Sequence, residues 1–98
     1  MAEIIRIYTP DEPEYKQLER ACMILNATTK RNITYTVGVT WFDFGQNWSW
    51  TTILAHDPES YFGDYQALCP RDYELILKSE DLLSAIQEIK SDKDWRDK

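Results

Sequence analysis

The stretch that most constrains this chain runs from Ile33 to Ala55. Ile33, Tyr35, Val37, Val39 and Trp41 alternate with Thr34, Thr36, Gly38, Thr40 and Phe42, a period of two that assigns one set to each face of a sheet. Phe44-Gly45-Gln46-Asn47 breaks the pattern and Trp48 to Ala55 resumes it, so the stretch reads as a long β-hairpin. A two-residue turn at Gly45-Gln46 is a Gly-first type II′ connection. That register sets Trp41 opposite Trp50, Val39 opposite Thr52 and Val37 opposite Leu54, and it predicts those residues in the core, Thr52 excepted. The other face then carries Thr34, Thr36, Thr40, Phe42 and Phe44, with Ser49, Thr51 and Ile53. A three-residue loop instead pairs Phe44 with Trp48 and Phe42 with Trp50. One residue of loop length therefore decides which aromatics are inside.

The rest of the chain supplies elements to pack on this hairpin. Glu3 to Tyr8 is a short β-branched run and reads as a first strand. Thr9-Pro10-Asp11-Glu12-Pro13-Glu14 has the marks of a helix start, with Thr9 and Glu12, or Asp11 and Glu14, spaced as a capping pair. The helix is expected to reach about Ala27, burying Leu18, Ala21, Cys22 and Leu25 on one face. His56 to Tyr65 reads as a loop and Cys69-Pro70-Arg71-Asp72 as a second break. Tyr73 to Lys78 is expected to be the last strand. Ser79 is a natural N-cap for a helix to about Ser91, with Leu82, Leu83, Ala85, Ile86 and Ile89 as its buried stripe. Residues 92–98 form a charged tail expected to fray, unless Trp95 pins it.

The order is thus β-α-β-β-β-α. A helix has one apolar stripe, so the simplest arrangement is an α+β two-layer sandwich, an antiparallel sheet of about four strands with two helices on one face. The 98 residues, 43% hydrophobic and 13% aromatic, suit one single domain over 1–98 with one core. Cys22 and Cys69 sit in unrelated contexts and read as free thiols. Met-Ala-Glu-Ile-Ile-Arg lacks the build of a signal peptide, and no apolar run reaches the ~18 residues of a membrane span. The expected location is a reducing cytoplasm, where the sequons at Asn26, Asn32 and Asn47 carry no meaning.

Catalytic signatures are missing from the pattern. His56 is the single histidine, two separated cysteines do not add up to a zinc site, and three glycines form no phosphate loop. Asp57-Pro58-Glu59 and Asp64 match no calcium loop. The expectation is a protein that is not an enzyme and has no metal or cofactor.

Charge is distributed unevenly. The formal net charge is -6, which argues against direct nucleic-acid binding, since phosphates are neutralised by Lys and Arg. From Asn32 to Pro70 there is no Lys or Arg, while Asp43, Asp57, Glu59 and Asp64 lie there among nine aromatics. One reading folds the 56–68 loop over the outer face and hides those rings. The other is a contact surface of aromatic anchors and carboxylates, comprising Phe42, Asp43, Phe44, Trp48, Asp57, Glu59, Tyr61 and Asp64. Its partner is then a basic protein surface, such as that of a nuclease or another nucleic-acid-binding protein. This expectation describes a small acidic, non-catalytic protein-binding module. In its sharpest form it is an inhibitor that mimics DNA, of the antirestriction, anti-CRISPR or immunity-protein type carried by phages and mobile elements. Two alternatives stand beside it. One is a homodimer or larger homo-oligomer built on the aromatic outer hairpin face. The other is a small-molecule or carbohydrate-binding domain with Trp48, Trp50 and Tyr61 as stacking platforms, and Asp43, Gln46 and Asn47 as polar groups.

Overall fold

A computed structural model describes residues 4–43, 47–59, 65–92 and 95. Within them the order is β1 (Ile4–Arg6), α1 (Pro13–Thr28), β2 (Thr34–Asp43), β3 (Asn47–His56), β4 (Tyr65–Ala67), α2 (Pro70–Lys78) and α3 (Leu82–Lys90). The protein is α+β, with three antiparallel strands, β2, β3 and β4, and three helices. The short β1 joins the same sheet in parallel to β3, so the sheet is mixed, not wholly antiparallel. β3 is central: β2 holds one of its edges, while β1 and β4 share the other.

The first helix follows the expected local chemistry. The Glu12 carboxylate accepts from the Thr9 N–H at 2.7 Å and the Glu12 N–H donates to the Thr9 carbonyl at 2.9 Å. This turn leads Pro13 into the first helical position, where a missing N–H costs nothing. Leu18, Ala21, Cys22 and Leu25 form the buried stripe, at three- and four-residue spacing. At the other end the Thr28 hydroxyl donates to the Ile24 carbonyl at 2.8 Å and Thr29 to Leu25 at 2.6 Å, closing free carbonyls of the last turn.

The segment from Tyr73 to Lys78 is helix, not strand. Pro70 stands at the start of α2, a position that suits its fixed φ, so the apparent break at Cys69-Pro70 is a helix start. Tyr73 and Ile76, three residues apart, are its buried face, while Arg71, Glu74 and Lys78 take other directions. Ser79 consequently ends α2, and Asp81 caps α3 by accepting from the Ser84 N–H at 3.3 Å and its hydroxyl at 2.8 Å. Ala85, Ile86 and Ile89 are buried as expected, but Leu83 is half-exposed.

The hairpin register differs from both expectations. Asp43 pairs with Asn47, Trp41 with Ser49, Val39 with Thr51 and Val37 with Ile53, leaving three residues between the paired ends. β2 keeps its expected inward set at Ile33, Tyr35 and Val37, but β3 is turned over. Ile53, Ala55 and Thr51 face the core, whereas Trp50 and Leu54 belong to the opposite face. Leu54 lies across Gly38, where an added Cβ would stand 2.6 Å from its Cδ1, so the missing side chain makes room for it. Of the core expected from the sequence, Val37 is partly buried, and Val39 and Trp41 are exposed at 53% and 71%.

Leu18, Leu25, Tyr35, Ile53, Ile76, Ile86 and Ile89 are the largest fully buried apolar side chains of the core cluster, which joins all three helices to β2 and β3. Each is worth roughly 1.5–3 kcal/mol of transfer free energy. Trp95 is buried too, its ring nearly parallel to that of Tyr35 at 6.2 Å. The chain beyond α3 is thereby tied to the sheet at this one described residue.

Candidate binding surface

Helix length determines which part of the hairpin stays uncovered. At ~1.5 Å per residue the 16 residues of α1 span roughly 24 Å, whereas ten-residue strands at ~3.3 Å span roughly 33 Å. The helical layer ends short of the hairpin tip. Tyr35 and Val37 meet it; Val39 and Trp41, two and four residues further along the same face, do not.

The eight residues expected to form one contact surface fall into two groups. Phe42 pairs with Trp48 and Asp43 with Asn47 next to the tip, so Phe42, Asp43 and Trp48 are brought together along the backbone. Asp57 and Glu59 follow the far end of β3. That is about nine residue steps from Trp48, or roughly 30 Å at ~3.3 Å per step. Phe44, Tyr61 and Asp64 lie outside the described residues, as does 60–64 of the segment expected to fold over the outer face, while its described end, Tyr65–Ala67, is β4 at the sheet edge. Asp57 and Glu59 therefore do not ring the tip aromatics.

Basic side chains from elsewhere in the chain also return to this stretch. Arg31 pairs with Asp57 at 3.3 Å, and Asp57 accepts from the Glu59 N–H at 3.0 Å as well. Arg6, brought opposite Trp50 by the parallel pairing of β1, lines a groove of about 220 Å³ with Trp48, Trp50, Pro70, Tyr73 and Glu74. Within it Arg6 pairs with Glu74, which lowers the Glu74 carboxyl below its usual range and raises the guanidinium. Burial pushes the Tyr73 phenol up to about 12, so it stays protonated at neutral pH. The groove is smaller than the ~300–1,000 Å³ of ordinary small-molecule sites. Trp50 is half-buried and packs against the core, which leaves Trp48 as the more accessible of its two indoles, 39% exposed.

A larger cleft of about 510 Å³ runs between α2 and α3, lined by Arg71, Glu74, Leu75, Lys78, Glu88, Ile89, Ser91 and Asp92. Its charges pair with each other or with neighbours: Arg71 with Asp72 at 3.2 Å and Asp92 at 3.5 Å, Lys78 with Glu74 at 3.5 Å. The exposed pairs among them contribute little, and only the Asp72 side of the Arg71–Asp72 pair is buried. Cys22 is buried, its thiol pushed up to about 12 first by burial and then by Glu19, while Cys69 is exposed; both are free. His56 stacks on Tyr65 at 4.7 Å, across the β3–β4 pair. Among the described residues no cluster of three or more His, Cys, Asp or Glu is placed to hold a metal ion, and no helix is long and apolar enough to cross a membrane.

No family of known proteins, no curated protein and no solved structure matches the chain. Its own surface is what a functional reading rests on.

Val39, Trp41, Arg6 and Arg31 are the surface residues that the sequence pattern misplaced or missed. The exposure of Val39 and Trp41 has a signal in the primary structure, namely helices too short for the hairpin. The arrival of Arg6 beside Trp50 has none, because parallel pairing joins segments more than forty positions apart.

Proposed function

We propose that this chain is a small acidic, non-catalytic protein-binding module that meets its partner through the tip-proximal part of the hairpin. The observation that carries the reading is the exposure of Trp41 and Val39 on one face of the hairpin and of Trp48 on the other, in a chain of net charge -6. Large exposed aromatics are the usual anchors of protein interfaces, and a one-signed surround steers a partner of opposite sign. The partner class that charge favours is a basic surface, such as the nucleic-acid-binding cleft of another protein. Carboxylates there take the place of phosphates. In that form the module is an inhibitor of the phage or mobile-element type, acting in the cytoplasm. Asp43 and Trp48 are backbone positions of this tip-proximal part, whereas Asp57, paired with Arg31 at the far end of β3, lies outside it.

The test is to mix the protein with a panel of basic nucleases and DNA-binding proteins at low ionic strength. Complex formation should occur with at least one, weaken as salt rises, and fall in the Trp48→Ser and Asp43→Asn variants. An absence of salt-sensitive complexes across the panel overturns the reading.

A further inference from the structure

The two edges of the sheet are not equivalent. β1 and β4 occupy one side of β3, while β2, ten residues long, forms the other edge of the sheet. The direction of its backbone groups follows from two hydrogen bonds. The Asn26 side chain accepts from the Tyr35 N–H at 2.8 Å and donates to the Tyr35 carbonyl at 3.0 Å, so the main chain of Tyr35 points away from β3. On the far side of β3, the Ile53 carbonyl accepts from the Leu68 N–H at 3.2 Å, so Ile53, the partner of Val37, also points away from β2. In an antiparallel ladder these non-bonded pairs alternate with bonded ones. Val37, Val39 and Trp41 therefore send their N–H and C=O groups outward. Among the described residues nothing bonds them there.

Asn26 does at Tyr35 what a neighbouring strand would do, and it closes that end of the edge. What stays open between Tyr35 and the charged Asp43 is a run of three outward residues with Val39 in the middle. β2 carries no Lys, Arg or Pro, the residues that commonly protect an exposed edge from pairing. Its exposed side chains on this face, Val39 and Trp41, are apolar.

We propose that the open edge of β2 is a self-association seam, on which β2 of a second copy adds antiparallel about a twofold axis at Val39. The occupant follows from symmetry. With Val39 opposite its own copy, Val37 faces Trp41 and Trp41 faces Val37, so all three of these positions on both strands are used, in about six backbone hydrogen bonds. Pairing beyond Trp41 would bring Asp43 opposite Tyr35, whose main chain Asn26 already holds. A slip by two positions sets Trp41 opposite Tyr35, which Asn26 already holds, or the charged Asp43 opposite Val37. Trp41 of each chain then covers Val37 of the other, and the two Val39 side chains meet on the axis. The eight-stranded sheet so formed carries two outward tips. The proposal goes beyond the partner-binding reading but shares Val39 and Trp41 with it, and the opposite salt dependences of the two associations tell the failure of one from the failure of the other.

Sedimentation equilibrium of the full chain over a wide concentration range tests it, together with amide exchange. The expected result is a monomer–dimer equilibrium that tightens as salt rises, because each copy carries -6 and the seam itself little charge. Binding to a basic partner has the opposite salt dependence. The amides of Val37, Val39 and Trp41 should gain protection with concentration. Val39→Lys, which places two like charges on the axis, should weaken the dimer more than about tenfold while leaving the urea midpoint of the monomer unchanged. Trp41→Ser serves as the second variant, and Met23→Lys, at an exposed position of α1, as the control that keeps the dimer. A monomer at all concentrations overturns the proposal. So does a dimer that survives both β2 variants, one abolished by Met23→Lys, or concentration-dependent protection located elsewhere than β2.

Discussion

Asn26 is the residue whose replacement tests the edge geometry most directly. Its amide makes two bonds to one main-chain residue, accepting from the Tyr35 N–H at 2.8 Å and donating to the Tyr35 carbonyl at 3.0 Å. A net contribution of about 0.5–1.5 kcal/mol per bond puts the pair at roughly 1–3 kcal/mol. Asn26 is exposed on α1 and water can replace the lost partner, so the lower half of that range applies to Asn26→Ala. Ala is also a better helix former than Asn by up to ~0.7 kcal/mol, which offsets part of the loss. The expected change is a destabilisation of about 0.5–1.5 kcal/mol, read from the urea midpoint at constant m. Asn26→Asp separates the two bonds: the carboxylate still accepts from the N–H but confronts the Tyr35 carbonyl with a second acceptor. It should therefore be at least as destabilising as Ala above pH 5, and less so where the carboxyl is protonated. Exchange of the Tyr35 amide should accelerate in Asn26→Ala more than that of Thr36, which the ladder holds. Equal stability of wild type and Asn26→Ala, with unchanged Tyr35 exchange, would refute the assignment of an outward-pointing, side-chain-capped strand edge.

Three further outcomes follow from the core and the caps. Trp95→Ala should cost about 3–5 kcal/mol, the range for a large buried aromatic, because the ring is 7% exposed and stacks on Tyr35; a loss under 1 kcal/mol in chemical denaturation would mean that this tail does not belong to the core. Thr52 is fully buried, and its hydroxyl has no hydrogen-bond partner among the described residues, so the isosteric Thr52→Val should stabilise by ~1 kcal/mol and raise Tm by roughly 4–8 °C in calorimetry. A lower Tm would show that the hydroxyl is bonded after all. The Asp81 carboxyl is held below its usual range by the Ser84 hydroxyl and N–H. A depressed folded-state pKa adds stability that is present above the unfolded value near 3.8 and is lost as pH falls through the folded one. Asp81→Ser keeps an N-cap that does not titrate, so its stability should fall less than that of wild type on acidification below about pH 4.

How far the fold was legible depends on how strongly each segment's pattern favours one face over the other. α1 has a polar side that differs plainly from the stripe of Leu18, Ala21, Cys22 and Leu25, and its limits agree with expectation to about a residue. In β2, Thr34, Thr36 and Thr40 oppose Tyr35 and Val37, and the face turned to the core is again the expected one, although Val39 and Trp41 on it are exposed. β3 offers no such contrast. Trp48, Trp50 and Leu54 on one face compete with Ile53 and Ala55 on the other, so hydrophobicity does not choose the register and loop length does. The preference for a two-residue turn turned every β3 side chain over. Tyr73 to Lys78 failed for a related reason: six residues are too few to tell a period of two from 3.6, and the decisive sign was Pro70, which reads equally as a break or as the first residue of a helix.

The candidate surface was less legible than the fold, because charge patterning along a chain is not charge patterning in space. The stretch from Asn32 to Pro70 is free of Lys and Arg, yet Arg31 closes on Asp57 from one side and Arg6 settles beside Trp48 and Trp50 from the other. What survives folding is narrower. At the tip-proximal part of β2, the apolar set outruns the helices, Asn26 stops protecting the edge after Tyr35, and no basic side chain lies within the strand. Exposed apolar faces and open strand edges are each costly to leave in water. Here they coincide over Val37, Val39 and Trp41, and one strand laid alongside satisfies both at once. A partner that only covered the rings would leave the backbone groups to solvent, and one that only added backbone bonds would leave Trp41 exposed. Protection of the Val37, Val39 and Trp41 amides together with a shift in Trp41 fluorescence on association is therefore the joint signature to look for, and a complex that produces one without the other uses a different surface.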